Sequence, residues 1–261
     1  GAAGGWAGSA APAAAADDLN KRADDAVEKG LEWLKKNQNP DGSWAAQGGA
    51  YKAAMTGLAG MALLLEGSTP AEGRYSDQVK TAVDWFLATG RQQANGLLAD
   101  TRNPAELGQY MYGQGFGTLF LACAHGSEED KDEQEKVGKC LKKAVEFICQ
   151  AQTSKRHRRP EGKEVEIGGW GYVSAKDGGN FDEGSVTITA LQALRAAKNA
   201  TIPVPKENIE KSVRYLEACT TPKGGVIYSY AGGGGAALAG QERPPITAAA
   251  CACAVSSGEF T

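Results

Sequence analysis

One helix-length register recurs four times in this chain, and it limits what the chain can fold into. Thr56 stands eleven residues before Gly67, Gly115 eleven before Gly126, Thr187 eleven before Lys198 and Thr247 eleven before Gly258. Each interval is a run of small and apolar residues, and DEGSVTITALQALRAAKNA, from Asp182 to Ala200, is the clearest copy. Five residues ahead of these anchors stand Tyr51, Tyr110, Asp182 and Glu242, so the helix mouths change chemistry while the bodies keep theirs. Self-similarity of this kind marks one repetitive domain.

The stretches between the copies read as amphipathic helices. The first begins near Asp17 and carries a stripe of Ala26, Leu31, Trp33 and Leu34; the others run from Gln78 to Leu87, from about Glu135 to Gln152 and from Lys206 to Cys219. The acidic run from Ser127 to Glu135 reads as the approach to the third of these, where carboxylates suit the positive end of the helix dipole. This set carries the charge, and the repeated helices are nearly uncharged. A helix that is apolar all round is buried on all sides, so the four repeated helices are expected to form an inner wall wrapped by the charged ones, anchored through Trp33, Trp85, Phe147 and Tyr215. The expected fold is all-α: an α/α toroid, or an arc of one, built from four helical hairpins at about 17–67, 78–126, 135–200 and 206–260.

Composition narrows the partners. Twenty-eight basic against thirty-one acidic residues leave a formal charge of −3, too balanced for nucleic acid or an anionic membrane as the obligatory partner. No apolar run reaches the ~18 residues of a transmembrane span. Residues 1–16, GAAGGWAGSAAPAAAA, are low-complexity material ahead of the fold. They read as the remnant of a secretory signal, the Ala-rich start of a mature exported protein, or an expression scar, and export is the expectation. The six cysteines form no CxxC pair and are expected to be free, buried thiols.

The bends repeat as well. Gln38, Gly42 and Trp44 read Q-x3-G-x-W; Gln92, Gly96 and Leu98 read Q-x3-G-x-L; Gln152 is followed after an insertion by Gly168-Gly169-Trp170; and the fourth bend keeps Gly224-Gly225-Val226 without a glutamine. A glutamine at a helix end can bond orphan carbonyls there and backbone of the next turn, glycine permits the reversal, and an indole covers the junction. This pattern resembles the QW motif of the terpenoid cyclase and protein prenyltransferase superfamily, the prenyltransferase and squalene oxidase repeat, over about Ala26 to Phe260. The resemblance implies a structural role for Gln38, Gly42, Trp44, Gln92, Gly96, Gln152, Gly168 and Trp170. A complete toroid of that superfamily has six hairpins. Four imply open edges that meet another protein or further repeats.

The resemblance also directs attention to chemistry. Its triterpene cyclases protonate substrate with an Asp of a DxDDTA motif at an inner-helix start. The matching place is Asp182-Glu183-Gly184-Ser185-Val186-Thr187, where the Thr is kept but Val186 replaces the acid before it. Asp182 and Glu183 are therefore the candidate acid and base, with helix capping as the competing role. Its prenyltransferases hold zinc through Asp, Cys and His; here His125 and His157 lack a D-x-C partner, and Asp17-Asp18 and Asp24-Asp25 lack the third acid of a DDxxD magnesium site. The G-C-G-E-Q stretch of the related thioester domains is absent too. No metal or cofactor is expected. Tyr51, Tyr110, Tyr112, Phe116, Trp170, Tyr172 and Phe181 cluster at inner-helix mouths and are candidates to line a cleft for an apolar or carbohydrate ligand, or to pack beneath the turns. Lys155 to Arg159, followed by Glu161, Glu164 and Glu166, reads as a solvated loop of self-compensating charge, and Gly232 to Gly235 as a flexible loop. The reading that results is a binding or structural toroid module of an exported protein. An isoprenoid cyclase using Asp182 or Glu183, and a toroid that binds or cleaves polysaccharide, are its alternatives.

Overall fold

The computed structural model describes residues 13–99, 103–231 and 240–257, and not the side chains at 13–17, 47 and 255–257. The Gly232–Gly235 loop, Gly258 and Phe260 lie outside the described residues. The described part is helical, with one small two-stranded sheet. Residues 1–38 and 39–261 form separate compact units.

The first unit contributes helix α1 (Ala13–Lys36), which reaches back beyond the expected start at Asp17 and ends on Lys35 and Lys36, where cations suit the helix dipole. Its expected stripe does not hold. Ala26 is exposed and Trp33 is 60 % exposed, whereas Leu31 is buried. Residues two apart lie about 200° round a helix from one another, so Leu31 and Trp33 never shared a face. Trp33 is not an anchor.

In the second unit four helices of the repeated register, α2 (Lys52–Glu66), α5 (Tyr110–Ala124), α7 (Gly184–Asn199) and α9 (Pro244–Ser257), pack in succession, α2 on α5, α5 on α7 and α7 on α9. The amphipathic helices stand between them: α3 (Ser76–Leu87) against α2 and α5, α6 (Lys131–Ala151) against α5 and α7, and α8 (Lys206–Ala218) against α7 and α9. A short α4 (Pro104–Leu107), started by the Asn103 side chain, precedes α5. Capping fixes several ends. Asp130 accepts from the Asp132 amide at 2.7 Å to begin α6, and Gly67, at φ +111°, closes α2. Trp85, Phe147 and Tyr215 are buried as expected. Burial of the repeated helices is uneven: α5 and α7, with a neighbour on each side, are mostly buried, whereas α2 leaves Leu58 and Leu65 exposed and α9 leaves Cys251 exposed.

One clasp recurs at every bend. The amides of Trp44, Trp170 and Val226 donate to the hydroxyls of Thr56, Thr187 and Thr247 at 2.9–3.0 Å. In the second copy the register position is Gly115 and has no side chain; its neighbour Gln114 takes over and accepts from the Leu98 amide at 2.7 Å. The glycine left behind lets α5 approach α7, since a Cβ at Gly115 would lie 2.6 Å from the Thr189 methyl. Gln92 donates to the carbonyls of Gly96 (3.3 Å) and Cys140 (2.8 Å), and Gln152 to those of Gly168 (3.0 Å) and Asn208 (2.9 Å), so each glutamine ties its own bend to the following amphipathic helix. Gly96, at φ +95°, abuts the Lys143 carbonyl where a Cβ would stand 2.2 Å away.

The basic stretch is a hairpin rather than a loop. Strands β1 (Lys155–Arg158) and β2 (Glu164–Ile167) pair antiparallel, with Arg156 opposite Glu166 and Arg158 opposite Glu164. It grows from a bend that keeps its register: Thr153 N donates to Gly169 O, as Asn39 does to Ser43, Gln93 to Leu97 and Thr221 to Gly225. Alternation holds the hairpin down, with Ile167 joining the core of Ile188, Leu191, Tyr215 and Leu216.

Replacing Thr187 by Val keeps the shape and leaves the buried Trp170 amide without an acceptor. Chemical denaturation is expected to show a loss of about 1–3 kcal/mol, while Thr187→Ser, which restores the oxygen, recovers most of it.

Candidate functional site

Helix α7 begins in a polar, aromatic region. The mouths of α5 and α7 are each met by a carbonyl from a bend: the Tyr172 carbonyl accepts from Met111 N at 3.0 Å at the start of α5, and the Tyr228 carbonyl from Gly184 N at 2.6 Å at the start of α7. Orphan amides of helix N-termini need such acceptors. Satisfying them through the backbone brings the side chains of Tyr112, Tyr172 and Tyr228 together. The Tyr112 and Tyr172 ring centroids are 6.0 Å apart, those of Tyr172 and Phe181 6.5 Å, and the Arg243 guanidinium lies over the Tyr228 ring at 4.8 Å. Phe181 is 41 % exposed and the three tyrosines are half-buried. The hydroxyls join: Tyr112 bonds Ser185 at 2.7 Å and Tyr172 bonds Tyr228 at 2.9 Å. Burial pushes the Tyr112 and Tyr228 phenols up, so both stay neutral through physiological pH.

Both candidate carboxylates are fully buried. Glu183 is the N-cap of α7; its oxygens accept from the Val186 amide at 2.6 Å, the Ser185 amide at 3.0 Å and the Ser185 hydroxyl at 2.7 Å. Asp182 points the other way, pairing with Lys155 of the hairpin and accepting from the Tyr215 hydroxyl at 2.9 Å and the Ala231 amide at 3.4 Å. Asp182 and Glu183 therefore serve separate networks rather than one acid–base pair.

The remaining candidates disperse. Trp170 is fully buried and donates its indole N–H to the Ile148 carbonyl at 2.7 Å, which sets it among the structural residues. Tyr110 is buried, bonds Asp177 and accepts from the Ser174 amide at 2.7 Å. Tyr51 occupies the N-cap position of α2 at φ +55°, and Phe116 lies within α5; no ring contact joins either to the tyrosine row among the described residues. His157 leaves the expected loop for β1, its Nδ1 3.0 Å from the Tyr230 hydroxyl. His125 stands 3.4 Å from Glu128. Among the described residues no cluster of His, Cys, Asp or Glu is placed to hold a metal ion, and no helix is long and apolar enough to cross a membrane.

Tyr228 and Arg243 are not singled out in the sequence, Ser185 enters there only as part of the Asp182–Thr187 stretch, and Lys155 only as part of a solvated loop. One signal was available: Tyr172 follows Trp170 by two residues, and Tyr228 follows Val226 by two, so the third and fourth bends share a tyrosine as they share the glycines. No protein-family model matches the chain, and no curated protein does.

The six cysteines are free. Cys140, Cys149, Cys219 and Cys253 are each pushed up to about 12 by burial. A folded-state pKa above the unfolded value of ~8.5 contributes stability that is complete below that value and is lost as pH rises towards 12. Unfolding followed by circular dichroism is expected to show stability falling above about pH 9, by up to ~1.4 kcal/mol per thiol for each pH unit.

The Lys155–Asp182 pair yields a second expectation. Asp182→Asn leaves the ammonium without its counter-charge, and a loss of about 3–5 kcal/mol is expected in chemical denaturation. The double replacement Lys155→Met with Asp182→Asn is expected to recover part of that loss.

Proposed function

We propose that the chain is a ligand-binding module of the α/α-toroid kind, without acid catalysis of its own, and that its binding face is the tyrosine row at the mouth of α7. The alternation of α2, α5, α7 and α9 with α3, α6 and α8 supports the toroid or arc reading, as do the glutamine-led bends. One observation carries the functional reading: both carboxylates are closed off and fully bonded, whereas the rings of Tyr112, Tyr172, Phe181 and Tyr228 stay partly open. A general acid must reach the atom it protonates. Glu183 is committed to capping and Asp182 to Lys155 and Tyr215, which favours binding over cyclisation. Export belongs to the same proposal and rests on the Ala-rich start alone.

Two measurements test it. Incubation with squalene, farnesyl diphosphate and geranylgeranyl diphosphate is expected to give no product above a protein-free control; a product that vanishes with Asp182→Asn in a variant that still folds overturns the proposal. A fragment library screened by saturation-transfer NMR is expected to return aromatic-stacking hits that Tyr172→Ala loses without change in the far-ultraviolet circular dichroism. Hits indifferent to Tyr172 would move the binding face elsewhere.

A further inference from the structure

The corner where α3 ends beside α6 keeps positive charge that the next corner cancels. At both corners a glutamine reaches a carbonyl of the following amphipathic helix, Gln92 that of Cys140 and Gln152 that of Asn208, so Cys140 and Asn208 hold equivalent places. In that register Lys143 matches Lys211, and Lys139 matches Glu207. Lys211 is neutralised by Glu207 at 3.0 Å and by Glu166 at 3.1 Å. Lys143 has a lysine four residues before it in place of that acid. Neither its ammonium nor that of Lys136 makes a hydrogen bond or ion pair among the described residues, and Lys139 has Glu135 at 2.6 Å. Spaced by three and four, Lys136, Lys139 and Lys143 share one face of α6, and that face borders a cavity of about 320 Å³. The turn after α3 borders it too. Arg91 N closes this turn on the Ala88 carbonyl at 3.0 Å, with Gly90 at φ +82°. The amides of Thr89 and Gly90 and the Thr89 hydroxyl are left without a partner among the described residues.

The cavity therefore gathers ammoniums, free turn amides and a hydroxyl, and among the described residues no acid borders it. The end of α3 opposes an anion with about half an elementary charge, against a full positive charge on each lysine. A carboxylate brings one charge and two oxygens to such a set. A phosphate monoester brings about −1.5 to −2 and three acceptor oxygens, which suits lysines that lack their acids. The half-buried Leu87 and the exposed Ala88 add an apolar strip beside the donors. We infer that this corner binds a phosphate monoester, its oxygens taken by Lys136, Lys143 and the turn amides and its organic part laid against Leu87 and Ala88. The volume falls within the range of small-molecule sites. This corner shares no residue with the tyrosine row, and neither site rests on the other.

The test is calorimetric titration of the whole chain at low salt with phenyl phosphate, benzoate and phenol, beside flotation with phosphatidylcholine vesicles that contain or lack phosphatidic acid, whose headgroup is the same monoester. Phenyl phosphate is expected to bind saturably, benzoate more weakly and phenol not at all. Lys136→Met and Lys143→Met are each expected to weaken phenyl phosphate by about 10-fold or more, the loss of one charge-assisted hydrogen bond. Lys142→Met removes the same charge one residue away without bordering the cavity, and is expected to leave the affinity unchanged. Equal weakening by Lys142→Met reveals general attraction to a basic helix and overturns the site. Benzoate bound as tightly as phenyl phosphate overturns the ligand class. Vesicle binding that needs both phosphatidic acid and Lys143, with no response to phenyl phosphate, upholds the monoester and gives a lipid headgroup as its source. If neither phenyl phosphate nor phosphatidic acid is bound, the inference falls.

Discussion

At each of the four bends a buried backbone amide must find an acceptor, and in each it finds one side-chain oxygen on the helix that follows. The acceptor is the hydroxyl of Thr56, Thr187 or Thr247, or the amide oxygen of Gln114. An unmet buried amide costs more than a met one contributes, so this clasp sets the depth at which each helix seats against its own bend. Trp170 depends on it directly, because the residue whose amide is clasped also fills the space beneath the bend and reaches Ile148. The glutamines then relate one bend to the next amphipathic helix, through Cys140 in one case and Asn208 in another.

The polar groups at the mouth of α7 follow from the same demand. Helix N-termini expose amides, and here these are met by Glu183 and by the Tyr228 carbonyl, while the Tyr172 carbonyl serves the start of α5. Capping by the buried Glu183 draws in the Ser185 hydroxyl, which Tyr112 meets in turn, and the tyrosines that supply the carbonyls hold their rings at the rim. Asp182, one residue earlier, faces the hairpin and Tyr215 instead. Adjacent residues in an extended segment point to opposite sides, and this separates two carboxylates that look paired in the sequence.

Much of the helical order was legible because its signal is periodic. The eleven-residue register placed the bodies of α2, α5, α7 and α9, and the buried rings of Trp85, Phe147 and Tyr215 marked three of their companions. Trp33 was misread because aromatic character was taken for inwardness, when its spacing from Leu31 set it on the other side of α1. The hairpin at 155–167 has a first strand, Lys-Arg-His-Arg, without any apolar residue, so only the short Glu-Val-Glu-Ile of its second strand carries the apolar–polar contrast that announces a strand. The rings of Tyr112, Tyr172 and Phe181, grouped with others at the helix mouths in the sequence, do lie near one another in the fold. Tyr228 and Arg243 were not so grouped, since they enter from a distant bend and only tertiary contact joins them to the rest.

The third bend holds a broader lesson for a repetitive chain. Thr153 and Gly169 keep the pairing that Asn39 and Ser43 keep across four positions, although sixteen positions separate them. The extra residues leave and return at a point already fixed, so the pairing of the bend itself does not depend on how many residues are grafted between. Lengthening one bend has here supplied Lys155 as counter-ion to Asp182 and Ile167 as a core residue. A chain of this architecture can thus diversify at one corner while its neighbours go on unaltered, as a building gains a balcony without moving a wall.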